Sequence, residues 1–143
     1  MGIFGNLFRK GEEPNKTWAD PILGQTEWSD DDEAWCGEFE GFRFSISYEW
    51  TGEPDPALVE YAREILRSRE WLLDTLIREK ITAKTLYGDD LSSEIDRLEY
   101  GTIHFMLQKK ERVIVAGLGE DGDGRAWRIE FMERSCSGIG FDS

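Results

Sequence analysis

From Trp35 onward the chain alternates: Trp35, Gly37 and Phe39 interleave with Cys36, Glu38 and Glu40, and after Gly41 the residues Phe42, Phe44, Ile46, Tyr48 and Trp50 interleave with Arg43, Ser45, Ser47 and Glu49. A period of two places successive side chains on opposite faces of a strand, so this stretch predicts two half-buried antiparallel strands joined at Gly41. Thr51-Gly52-Glu53-Pro54 closes the second strand, and the period then changes to one of three and four. Asp55-Pro56 is a helix start, because the Asp carboxylate accepts from first-turn amides and proline at the first helical position lacks no needed donor. Leu58, Tyr61, Ala62, Ile65, Leu66, Leu72, Leu73, Leu76, Ile77 and Ile81 follow at helical spacing, giving either one long helix from 56 to about 86 or two packed helices broken near Ser68 to Glu70. Gly88 ends that segment, and Ser92 or Ser93 caps a further short helix.

The last third returns to alternation. Gly101, Ile103, Phe105 and Leu107 define one face of a strand that carries Tyr100, Thr102, His104, Met106 and Gln108 on the other. Lys109-Lys110-Glu111 turns the chain, Val113-Ile114-Val115 reads as buried, and Ala126 to Phe131 alternates again. The expected architecture is α+β: an N-terminal two-stranded hairpin and a C-terminal three-stranded meander in one antiparallel sheet, with one long or two packed helices on one face. Residues 11 to 34 have no sustained period, so residues 1–34 read as a partly irregular arm and 35–143 as a single domain. A chain of 143 residues with eighteen aromatics has enough apolar surface to fold without disulfides.

Charge is distributed far less evenly than pattern. Between Glu12 and Glu60 stand fourteen acidic residues against two basic ones, Lys16 and Arg43, a local charge of −12 within a total of −13. Residues 61–143 hold thirteen basic and sixteen acidic residues. A sequence pI near 4.5 disfavours nucleic acid, whose phosphates need clustered Lys and Arg. It favours cationic partners, whether a basic protein surface, a divalent metal or a positively charged small molecule, and the partner expected is a basic protein surface. The residues expected to meet such a partner are Asp30, Asp31, Asp32 and Glu33 with Trp35, Trp50 and Glu53, because large rings at the rim of a charged patch have the composition of an interaction hot spot.

Catalytic and metal signatures are weak. His104 is the single histidine and lies mid-strand, and no nucleophile elbow accompanies it. Gly119 to Gly124, with Asp121, Asp123 and the later Glu130, partly matches a calcium loop, but Asp-Gly is also a strong hairpin signal and Gly119 supplies no side-chain ligand where the first is required. Cys36 and Cys136 lie a hundred positions apart without metal or redox spacing and read as reduced thiols. No catalytic residue, metal or cofactor is therefore expected. Residues 1–10, MGIFGNLFRK, form a short amphipathic segment that either docks on the domain or touches a membrane surface. With no signal-peptide core and no apolar run of spanning length, the expected compartment is the cytoplasm.

The stretch Asp121-Gly-Asp-Gly-Arg-Ala-Trp-Arg-Ile-Glu-Phe131, with Gly138-Ile-Gly-Phe-Asp142 and the opening Asp20-Pro-Ile-Leu-Gly24, resembles uncharacterised bacterial domains of unknown function, a type of small acidic α+β protein also seen among toxin-immunity proteins. The resemblance carries over no catalytic residue; the acidic segment and the missing catalytic groups lead to the expectation of a non-enzymatic binding protein, with neutralisation of a toxin as one use of it. Two other classes stand beside it: a hydrolase using paired carboxylates on a cationic or carbohydrate substrate, and a peripheral membrane adaptor anchored by residues 1–10.

Overall fold

A computed structural model of the chain describes residues 16–47, 54–119 and 125–142. In it the strands β1 (Thr17–Asp20), β2 (Gly24–Ser29), β3 (Ala34–Phe39) and β4 (Phe42–Ser47) precede the helices α1 (Pro56–Leu66), α2 (Arg69–Tyr87) and α3 (Ser92–Asp96), and β5 (Tyr100–Gln108), β6 (Glu111–Leu118), β7 (Ala126–Met132) and β8 (Ser135–Asp142) follow. All eight strands form one sheet in sequence order. Every neighbouring pair is antiparallel except β4 and β5, which run parallel with Ser45 opposite His104 and Ile46 opposite Phe105.

This corrects the expected two-plus-three antiparallel sheet in strand number and in pairing. β1, β2 and β8 are additional strands, and residues 17–29, expected as irregular chain, are the outermost hairpin. The parallel centre has a topological reason. A parallel neighbour cannot be reached through a tight turn, so the chain leaves β4, crosses the sheet through α1, α2 and α3, and re-enters as β5. The other connections are short. Glu40-Gly41 and Lys109-Lys110 all have positive φ, as two-residue hairpin loops of the primed type require.

The crossover covers one face of the sheet. Tyr61 of α1 meets Phe105 edge-on at 5.8 Å between ring centroids, Trp71 of α2 meets Phe131 at 5.4 Å, and Tyr87 meets Trp127 at 5.7 Å. Phe44, Ile46, Ile103, Ile114 and Ile129 lie between them, each 0 or 1 % exposed. Gly37 sits on this face because a Cβ there would lie 2.9 Å from the Phe44 ring. Asp55 caps α1 by accepting from the amides of Ala57 and Leu58. The chain breaks at Arg67-Ser68, where Ser68 bonds back to the Glu64 carbonyl through its hydroxyl at 2.8 Å, so α1 and α2 are separate helices.

Helix α2 also corrects part of the expected core. Leu72 and Leu76 turn toward the sheet and are 0 and 6 % exposed, whereas Leu73, Ile77 and Ile81 turn outward. Apolar residues at both i and i+1 place two stripes on the helix, and only one of them can face the sheet.

One polar contact fastens the β1–β2 hairpin to the helical layer. The Asp20 side chain is 1 % exposed; it accepts from the amides of Ile22 (3.0 Å) and Leu23 (2.9 Å) and pairs with the Arg63 guanidinium of α1. Arg63, with its hydrogen bonds to the carboxylate as the leading cause, holds the Asp20 carboxyl below its ordinary range, against an opposing effect of burial. Because the folded-state pKa is depressed, the stabilisation is complete above the unfolded value near ~3.9 and is lost as pH falls through the folded value. Asp20→Asn should lower thermal stability at pH 7, by about 2 kcal/mol for a buried charge-assisted network. The gap between variant and wild type in melting experiments should narrow steadily below about pH 4; an equal gap at pH 7 and pH 3 would remove the ion pair from the account.

Candidate functional site

Four consecutive carboxylates, Asp30 to Glu33, form the β2–β3 turn, and all four are exposed. The turn is organised by its own side chains. Ser29 donates its hydroxyl to Asp32 Oδ2 at 3.1 Å and accepts from the Asp32 amide at 3.2 Å, while Trp28 donates its indole N–H to Asp30 Oδ1 at 2.6 Å. Glu33 closes the turn with a φ of 52°. Among the described residues none of these four acids is paired with a basic side chain.

Elsewhere six basic side chains are committed to acids. Arg63 holds Asp20, Lys84 holds Asp96, Arg112 holds Glu133, Arg125 holds Glu94, Arg128 holds Glu130 and Asp142, and Arg134 holds Glu64. Five of these six cations therefore serve acids of their own region, and the sixth, Arg63, reaches Asp20. The acidic third does not gather on one surface: Glu38 and Glu40 stand at the far end of β3 from the turn, Asp55 caps α1, and Asp20 is interior. Glu12, Glu13, Glu49 and Glu53 lie outside the described residues. What remains coherent is the tip at Asp30 to Glu33.

The structure places Trp35 away from solvent. It is 3 % exposed, its indole nitrogen has no hydrogen-bond partner among the described residues, and Trp28 packs edge-on against it at 5.5 Å. Trp28, half-buried and bonded to Asp30, is the aromatic at the tip. Its signal in the sequence was a tryptophan two residues before the acidic run, one strand position from a turn. Trp50 and Glu53 lie outside the described residues.

On the sheet face opposite the helices, Cys36, Ser45 and His104 occupy successive registered positions on β3, β4 and β5. Ser45 Oγ and His104 Nδ1 are 2.6 Å apart. The pairing looks like a nucleophile beside its base, but Ser45 is 2 % exposed and offers no surface to a substrate. Cys36 bonds weakly to Asp32, its Sγ 3.8 Å from Oδ2, and burial, followed by the Asp32 charge, pushes its thiol up rather than toward a thiolate. No group of three or more metal-ligating side chains occurs among the described residues. Residues Glu120 to Gly124 of the candidate calcium loop lie outside them.

A cleft of about 530 Å³ opens at the end of the sheet beside α3, lined in part by Glu94, Arg97, Glu99, Tyr100, Arg125 and Trp127. Its central carboxylate, Glu94, accepts from Arg125 at 2.9 Å and from the Trp127 indole. Arg125 first and Trp127 second hold it below the usual range, so it stays ionised at neutral pH. A general acid requires the opposite shift.

No protein-family profile matches the chain, and no characterised protein or solved structure is significantly similar to it.

Burial pushes the His104 imidazole below its ordinary pKa, opposed by the charge of Asp32. The folded protein then binds fewer protons than the unfolded chain as pH falls through about 6.5, so stability drops through that window. Melting temperatures measured from pH 7.5 to pH 5 should decline more steeply for wild type than for His104→Gln, which keeps a polar partner for Ser45 but does not titrate. Parallel curves for the two proteins would contradict the assignment.

Proposed function

We propose that the protein is a non-enzymatic acidic binding domain that engages a basic protein surface through the Asp30–Glu33 tip, with Trp28 as its aromatic contact. The observation that carries this reading is the ion-pair pattern. Among the described residues six basic side chains neutralise acids elsewhere, while four adjacent exposed carboxylates have none. Unpaired charge projected on a turn attracts an oppositely charged partner at long range and raises its rate of encounter. Trp28 supports the same reading, since a half-buried tryptophan with its N–H already satisfied presents apolar area at small entropic cost. Toxin neutralisation in a bacterial cytoplasm is the form of such binding that the sequence resemblance suggests.

The cleft beside α3 does not single out the carboxylate-hydrolase reading, since Glu94, one of its lining carboxylates, is tied up by Arg125 and Trp127 and held in its charged form, the opposite of what a general acid needs. The membrane-adaptor reading depends on residues 1–10, which lie outside the described residues. No described helix is long and apolar enough to cross a membrane.

The test uses immobilised full-length protein and extract from its native host. A basic protein should be retained at about 50 mM salt and released by about 500 mM, as screening weakens exposed charge attraction. The quadruple variant Asp30→Asn, Asp31→Asn, Asp32→Asn, Glu33→Gln should retain at least tenfold less of it while melting normally. Equal retention by that variant, or no protein retained by wild type at low salt, would overturn the proposal.

A further inference from the structure

The outward stripe of α2 has no cover among the described residues. Leu73, Ile77 and Ile81 recur at i, i+4 and i+8 and are 38, 58 and 63 % exposed, on the side of the helix turned away from the sheet. Side chains at this spacing stack along one line of a helix, so the three form a continuous apolar ridge. Their exposure is not forced by the fold, since Leu72 and Leu76 already supply what α2 needs for docking on the sheet.

The residues flanking the ridge indicate what covers it. Glu70 and Asp74 accompany its N-terminal half, Lys80 and Lys84 its C-terminal half. Both lysines rest on Asp96, Lys84 through its carboxylate at 2.7 Å and Lys80 through its main-chain carbonyl at 3.1 Å. Arg78 and Glu79 cancel, and with Asp96 counted beside the lysines and Arg69 beside Glu70 and Asp74, one net positive charge stands at the C-terminal end against one net negative charge at the N-terminal end. The order is symmetric about Ile77. Leu73 and Ile81 lie four residues to either side of it, Asp74 and Lys80 three, and Glu70 and Lys84 seven. An antiparallel copy of the same helix, related by a two-fold axis at Ile77, would set Leu73 level with Ile81 and the acidic half of each helix alongside the basic half of its partner. That is the self-complementarity a two-fold interface demands. We infer that α2 is the contact between two copies of this chain in a symmetric dimer, with Ile77 facing its own counterpart.

A seam along one helix of 19 residues is about 28 Å long. It buries less than the ~800 Å² per partner of a standard stable interface, so the dimer is weak and forms with rising concentration. The Asp30–Glu33 tip is on no part of α2, and the dimer does not depend on the binding role proposed above.

Two measurements on the full-length protein test the inference, both at about 150 mM salt so that the repulsion between two acidic chains is screened. In sedimentation equilibrium from micromolar to millimolar protein, the weight-average mass should rise from 16.5 kDa toward twice that value. The double variant Ile77→Lys, Ile81→Lys should stay at the monomer mass with an unchanged melting temperature, because the replaced side chains are exposed. In a Cys36→Ser, Cys136→Ser background, Ile77→Cys should form a disulfide-linked dimer under mild oxidation at least tenfold faster than Thr82→Cys, which is on the same helix but off the ridge. A wild-type protein that stays monomeric throughout, a double variant that associates as wild type does, or equal cross-linking at 77 and 82 would each overturn it.

Discussion

The parallel pairing of β4 with β5 is the constraint from which the rest of the architecture follows. Two strands running the same way side by side need a crossover, and here the crossover is the whole helical layer, α1, α2 and α3. Because the crossover packs on one face, that face takes the large apolar side chains, including Phe44, Phe105 and Phe131, which are 0 or 1 % exposed. The other face carries smaller and polar groups, among them Cys36, Ser45 and His104 in register. The two hairpin-linked halves of the sheet then extend outward from this centre, β1 to β4 on one side and β5 to β8 on the other.

The electrostatic layout follows the same division. Lys84, Arg112, Arg125, Arg128 and Arg134 pair with acids of the later two thirds, and Arg63 reaches across to Asp20 and ties the outer hairpin to α1. Among the described residues the carboxylates of the β2–β3 turn have Trp28, Ser29 and Cys36 as partners and no basic side chain. A negative charge of −13 in total is therefore most concentrated, among the described residues, where the fold provides no counter-charge. Tyr61 shows the reverse situation: its ring is buried against Phe105, its hydroxyl donates to the Glu133 carbonyl at 2.6 Å, and burial pushes its pKa up to about 12, so it stays neutral in the core.

Much of the local structure is legible in the sequence, and much of the assembly is not. Periods of two mark β3, β4, β5 and β7, and Asp55-Pro56 marks the start of α1 to the residue, because local sterics and capping chemistry act over a few positions. β1 and β2 are hidden by brevity and by Pro21, Gly24 and the acidic run; β8, Ser-Cys-Ser-Gly-Ile-Gly-Phe-Asp, has glycines where a period would need side chains. The direction of β4 relative to β5 cannot be read from either strand, since alternation is the same in parallel and antiparallel pairs when one face is open. The same ambiguity hid the two stripes of α2. At the tip, four adjacent acids announce themselves, but Trp28 and Trp35 are cross-strand partners on one face, and that Trp35 is buried while Trp28 is half-buried depends on a pairing of β2 with β3 that the sequence does not show.

The most direct test of this account is the pairing of the central strands in solution. Backbone NOEs from isotope-labelled protein should connect β4 and β5 in the staggered amide-to-α-proton pattern of a parallel pair, with Ser45 adjacent to His104. Close α-proton to α-proton contacts between these strands, or contacts pairing β4 with any strand other than β3 and β5, would contradict it.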